Sequence, residues 1–192
     1  QAVKDNVQGL ARVSPERIWS EIRKILVSRN PEEILAYMGS TGVGKQIGLA
    51  TANAKKLARL ERTKNPIVPL AVLVDNTTLA QKWKMSNKES ALLNFLVKYK
   101  NKPMNKDLAI GLLHDGVSKD ALLHLLNIQS KFNLADVIRT YEQPDFPVTG
   151  KDLISKGMKP GIEIGKTLDA LKNKWKSSKY KLTKQDLLKN IK

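Results

Sequence analysis

The residues closest to a catalytic pattern are Gly39-Ser40-Thr41-Gly42-Val43-Gly44-Lys45, which miss a phosphate-binding P-loop by one position. Such a loop works because it follows a strand, opens a helix and ends in a Ser or Thr whose hydroxyl holds magnesium. Here the next residue is Gln46, and the preceding Glu32–Met38 segment has helical spacing. The run therefore reads as a glycine turn that closes a helix. His114-Asp115 could serve a metal in phosphoester hydrolysis, but that chemistry needs another histidine upstream. The only other one, His124, lies downstream. The pair is expected in a connection between two helices, around Leu113–Gly116. No Asp-x-Asp pair is present to hold catalytic magnesium, and no Gly-x-Ser-x-Gly elbow is present. Zero cysteines remove disulfides, thiolate metal sites and cysteine catalysis, and two histidines argue against a multi-histidine metal centre. On its residues the chain binds something and catalyses nothing.

Charge says what it could bind. Of 192 residues, 34 are basic and 18 acidic, a formal +16. That excess points to a polyanionic partner, with nucleic acid first and an anionic membrane surface second. Lysine outnumbers arginine 27 to 7, a tilt that genome base composition can produce. Such a bias exchanges Arg for Lys, however, and creates no excess over acids. Residues 107–150 carry three basic and six acidic groups, whereas 151–192 carry twelve lysines and four acids. Half of the excess thus sits in the last 42 positions. Two further basic stretches lie at 45–64 and 82–106.

The elements that must position these groups read as helices throughout. Ser14-Pro15-Glu16 offers an N-cap, a proline at the first helical position and an acid in the first turn. Asn30-Pro31-Glu32-Glu33 repeats that signal. Ser86-Asn87-Lys88-Glu89 is a capping box, and further caps are expected at Asn105, Ser118, Asn133 and Thr183. The longest apolar run, Ile67–Val74, is eight residues with Pro69 inside it. It is too short to span a bilayer, and its prolines argue against a strand. The expected fold class is all-α: about ten short helices forming a multi-helix neck and body with a small basic helical tail module. Hydrophobic residues at 41% and a mean hydropathy of −0.35 fit a folded domain. No charged start leads into an apolar stretch, and the lack of cysteine fits a reducing compartment; a cytoplasmic location and no membrane partner are expected. Gln143-Pro144-Asp145-Phe146-Pro147 is the clearest boundary, because two prolines stop a helix where the net charge changes sign.

Two stretches carry a family resemblance. Leu10-Ala11-Arg12-Val13-Ser14-Pro15-Glu16-Arg17-Ile18-Trp19 and the helix through Leu26 resemble the Ser-Pro-Glu-Arg-Ile helix of class II tRNA nucleotidyltransferases, the CCA-adding enzymes and bacterial poly(A) polymerases. Phe146-Pro147-Val148-Thr149-Gly150-Lys151-Asp152-Leu153-Ile154, with Gly157-Met158-Lys159-Pro160-Gly161-Ile162-Glu163-Ile164-Gly165-Lys166, is similar to that family's C-terminal signature, and Leu168, Leu171 and Trp175 continue it. The resemblance implies the end of a neck over 1–30, a helical body over 31–143 and a basic tail over 144–192. It implies that the catalytic head, with its Gly-Gly loop and Asp-x-Asp, lies outside this chain, and the start at Gln1 in place of Met fits a processed product or a fragment. Mg²⁺ and CTP or ATP would belong to the missing head and neck, and no cofactor to this chain. Taken alone, the chain should be inactive.

The resemblance also assigns roles. Ser14, Glu16 and Arg17 would brace the nucleotide-reading helix, although an N-terminal Glu16–Arg17 salt-bridging pair is the simpler reading of those types. tRNA would be the partner, held at its elbow by body and tail. Leu153–Gly161 reads as helix, tight turn, helix; glycines at a helix start let phosphate approach unpartnered amides. Lys151, Lys156, Lys159 and Lys166 with Gly161 are the candidate RNA contacts. The residues alone fit equally well a plain hairpin with solvated lysines, and the resemblance favours binding. Few arginines and aromatics point to backbone contacts over base readout. Trp175, on the stripe of Ile164, Leu168 and Leu171, is expected in the core. Two alternatives stand beside this reading: a poly(A) polymerase of the same family, and a stand-alone basic adaptor that binds protein or membrane.

Overall fold

A computed structural model describes residues 2–142, 144–178, 180–189 and 191. Gln1 and Gln143, the latter part of the expected boundary, lie outside the described residues. All regular structure among the described residues is helical. The helices are α1 (Ala2–Asn6), α2 (Pro15–Leu26), α3 (Pro31–Ser40), α4 (Val43–Ile47), α5 (Ile67–Leu73), α6 (Thr78–Lys82), α7 (Asn87–Tyr99), α8 (Lys106–His114), α9 (Lys119–Ile128), α10 (Phe132–Thr140), α11 (Gly150–Ser155), α12 (Ile162–Ser177) and α13 (Lys184–Leu188). Two 3₁₀ segments, Val7–Arg12 and Ala54–Arg59, join them.

Most starts follow their local chemistry. Ser14 Oγ accepts the Arg17 amide, Ser86 and Glu89 cap each other, and Asn105 and Ser118 accept the amides of Leu108 and Ala121. Thr183 forms a capping box with Asp186. Two expected caps differ. Asn30 makes no cap with its side chain, which instead donates to Glu33. The helix expected after Asn133 starts earlier, at Phe132 with Lys131 as N-cap, because the Lys131 amide is already turned back onto Leu126 O.

The Ile67–Val74 run forms α5. Its prolines fall at the N-cap (Pro66) and in the first turn (Pro69), where a missing amide costs nothing. Ile67, Val68, Leu70, Ala71 and Leu73 are all buried, so the helix is apolar on every side and must sit at a centre. It does: α7, α9, α2 and the Ala54–Arg59 turn pack around it. Lys100 closes its far end, with Nζ donating to the carbonyls of Ala71 and Val74, which is where a helix dipole favours a cation. This first core runs from Trp19 to Ile138 and draws on both 1–30 and 31–143. Trp19 and Trp83 stack within it at 5.8 Å.

A second core is separate and small: Val148, Leu153, Leu171, Trp175, Leu187 and Leu188. Trp175 is 3% exposed, a core residue as its stripe implied. Thr149 and Asp152 form a capping box at the start of α11.

Candidate nucleic-acid interface

The P-loop look-alike is a helix junction. Thr41 is buried and its Oγ1 donates to Tyr37 O at 2.8 Å, so that hydroxyl serves α3. Gly42 takes φ +83°, a left-handed turn that favours glycine, and opens the one-turn α4. No strand precedes it. His114 is the last residue of α8 with Asp115 as its C-cap, so the helix runs one residue into the connection expected around Leu113–Gly116. Its ring is buried between the two cores. It stacks on Tyr180 at 3.7 Å, meets Trp175 edge-on at 5.6 Å, and its Nε2 lies 3.0 Å from Tyr141 Oη. Burial first, then the charges of Lys176 and Lys172, push the imidazole below its ordinary pKa, with Asp115 opposing. An ion pair between Lys176 and Asp115 crosses the same junction.

The candidate contacts of the tail cluster around one connection. Lys156 is the C-cap of α11, Lys159 follows, and Gly161 is the N-cap of α12. Gly150 packs against Ile164, so the first turn of α11, with Lys151, lies beside the first turn of α12. Lys151, Lys156, Lys159 and Lys166 are all exposed. They are not equivalent. Lys166 is paired with Glu163 at 2.8 Å, and that glutamate already puts negative charge at the helix start. Lys184 pairs with Asp152, whose carboxyl is held down to about 2 by that ammonium and by Thr149. Gly161 has φ +155° and ψ −170°, a region essentially restricted to glycine, although a Cβ there would meet nothing within 4 Å. Beside it stands Ile162, 81% exposed, which sequence reasoning passed over because an isoleucine at a helix start reads as core.

The N-terminal trio is tied to the body. Glu16 pairs with Lys84 at 2.7 Å, which lowers its pKa; this is a long-range bridge in place of the simple pair with Arg17. One turn on, Trp19 Nε1 donates to Glu89 Oε1 at 3.2 Å, and Arg23 lies 3.7 Å from the same carboxylate. Burial would raise the Glu89 pKa, but the bonds from Ser86 and Trp19 and the charge of Arg23 outweigh it and lower it. The start of α2 is thus fastened to the start of α7. In the 82–106 stretch several lysines are similarly engaged: Lys84 with Glu16, Lys100 on α5, and Lys98 and Lys102 over the Tyr99 ring.

Comparison with known proteins bears on what this helical surface belongs to. The family described as "Probable RNA and SrmB- binding site of polymerase A" matches residues 1–53. The chain is similar along 100% of its length to CCA tRNA nucleotidyltransferase 1, mitochondrial, of Danio rerio (32% identical over 213 residues), Mus musculus (32%) and Homo sapiens (29%). Along its whole length the chain is thus similar to part of the tRNA nucleotidyltransferases. It spans about half the length of the curated relatives it matches, 49% in each case, and the matched share is their C-terminal part. The Ser14–Ile18 motif lies inside the matched RNA-binding family segment. Among the described residues no helix is long and apolar enough to cross a membrane.

Proposed function

We propose that this chain is the tRNA-holding part of a CCA-adding tRNA nucleotidyltransferase. The observation that carries the reading is a match, along the whole of this chain, to about half the length of three such enzymes, with a tail that exposes Lys151, Lys156 and Lys159. Lys151, Lys156 and Lys159 would meet phosphates, with Lys166 contributing less because Glu163 competes for it. The pinned start of α2, through Ser14, Glu16 and Arg17, would brace a nucleotide-reading helix. This chain has no Asp-x-Asp to hold magnesium, and CTP or ATP would be bound with it elsewhere. They belong, on this reading, to the missing head and neck. A poly(A) polymerase of the same family would differ in that head and neck. A cytoplasmic location is part of this reading; the relatives are named as mitochondrial proteins, and imaging of the tagged full-length protein decides between the two.

The test is tRNA binding against salt. A contact with phosphate contributes about 0.7–0.9 to the log–log slope. Lys151→Ala, Lys159→Ala and Lys166→Ala together should weaken binding and flatten the slope by roughly two units or more. Replacing Lys98, Lys102 and Lys106 should do less. If the tail triple keeps affinity and slope while the body triple abolishes binding, the tail is not the anchor. The chain alone should add no CMP or AMP to tRNA lacking its 3′ end, and robust incorporation would overturn the assignment of the head.

A further inference from the structure

A cleft runs along α7 from its contact with α2. Its larger part, about 560 Å³, has apolar walls from Leu92, Phe95, Val117 and Ala121. Its smaller part, about 380 Å³, is rimmed by Arg23, Lys64 and Lys88, with Glu89 offset by Arg23. The two parts share Asn65, Lys88 and Leu92, so they form one trough with a cationic end and an apolar, aromatic end. Either volume falls in the range of about 300–1,000 Å³ in which small molecules bind.

The polar groups give the trough a direction. Asn65 Nδ2 lies 3.3 Å from His124 Nε2, and an amide nitrogen only donates, so that ring nitrogen accepts and the imidazole is neutral. Asn65 Oδ1 accepts the Ile67 amide, which anchors the pair to the start of α5. Asp120 lines the apolar end, where it repels an anion. Lys64 and Lys88 are exposed at the other end, and Arg23 is held there by Glu89 and lies 5.9 Å from the Trp19 ring centre. An elongated ligand with a planar, weakly polar part and an anionic part fits in one orientation only.

We propose that this trough holds one unpaired nucleotide of an RNA strand, its base against Phe95 and His124 and its phosphate at Lys64 and Lys88. A nucleotide has the required shape: a ring with a π face for an aromatic side chain, joined to a phosphate for lysine. A chain of net charge +16 also favours an anionic occupant over an apolar peptide. The site is on the body, distinct from the tail lysines, and it rests on the reading that the chain binds RNA.

The experiment is fluorescence anisotropy with a labelled single-stranded oligoribonucleotide of about eight nucleotides, within the usual site sizes of single-strand binders. Lys64→Ala with Lys88→Ala should weaken binding and lower the salt slope by about 0.7, the value for the one phosphate held there. Phe95→Leu, which keeps an apolar side chain for packing, should weaken binding at least about fivefold with the slope unchanged. Ala91→Glu, at an exposed position on the cleft wall, should weaken it without touching the core. Lys151→Ala with Lys159→Ala should leave oligonucleotide binding nearly intact while weakening tRNA. If wild type binds tRNA and all three cleft variants bind the oligonucleotide as wild type does, the trough inference fails and the function stands. Displacement of the oligonucleotide by an apolar peptide and not by a second oligonucleotide would also overturn it. If wild type binds neither RNA, the function itself fails.

Discussion

Trp175→Ala should unfold the tail while the body stays folded. The indole is 3% exposed and meets Phe146 at 5.4 Å, Tyr180 at 5.2 Å and His114 at 5.6 Å. Truncating a buried Trp or Phe to Ala costs about 3–5 kcal/mol. At about 0.05–0.15 kcal/mol per residue, a module the size of this tail has only about 2–7 kcal/mol in total. The other buried side chains of its core are five aliphatic ones, which cannot close over a cavity of indole size. The body has its own Trp19–Trp83 stack and a core that does not include Trp175, so it has little to lose.

Hydrogen exchange separates these outcomes. Amides of α11, α12 and α13 should lose most of their protection in the variant, and those of α5, α7 and α9 should keep theirs. Fluorescence of Trp19 and Trp83 should still report a cooperative urea transition. A cost below about 1 kcal/mol, or equal loss of protection in α5 and α12, would refute the argument. The first result would mean that the indole is not buried, and the second that the two cores fold as one.

Other outcomes follow from single groups. The His114 pKa is lowered in the folded protein, so the unfolded chain binds more protons; stability falls as pH drops from the ordinary value near 6.5 toward the lowered one. Urea midpoints should therefore decline between pH 7.5 and 5.5, and His114→Phe should remove part of the decline. His124, lowered by burial, supplies the rest with the same sign. Ser14→Ala should cost about 0.5–2 kcal/mol in thermal or urea unfolding, the usual loss for an N-cap. No change there would mean that Pro15 and the Glu16–Lys84 bridge start α2 without help.

What could be read in the sequence was local. Ser14, Ser86, Asn105, Ser118 and Thr183 cap helices because a cap needs only a side-chain oxygen and an amide three residues away. Asn133 misled because the chain reverses one turn earlier, at Ser130, whose φ of +54° is not written in residue type. Thr149 was passed over although its partner Asp152 stands at the capping-box spacing, with Asp in place of the usual Glu. The tail lysines were legible as charge, but their inequality was not: Glu163 beside Lys166 and Asp152 beside Lys184 follow from rotamers and packing. Contacts across the chain were invisible. Glu16 meets Lys84 and Trp19 meets Glu89 because α2 and α7 both pack on α5, whereas His114 meets Tyr180 where the tail docks on the end of α8.

The change of charge sign near residue 144 has a structural use. A tail of net positive charge repels itself and would be repelled by the other basic stretches of the body. It docks instead beside Asp115, in the one acidic region of the sequence, through an interface that is mainly aromatic. Stacked rings of His114, Trp175 and Tyr180 need no lysine, and the neutral imidazole adds no further positive charge at neutral pH. Lys176 pairs there with Asp115, while Lys119 of the body donates to the carbonyls of Arg139 and Tyr141 at the end of α10. The junction therefore consumes little of the tail's charge. Lys151, Lys156 and Lys159 stay exposed on the α11–α12 side, held by a core too small to survive the loss of its tryptophan. Anchoring by rings and binding by lysines are separated in space, so a variant at His114 should change how firmly the tail is held and leave the salt slope of RNA binding unchanged.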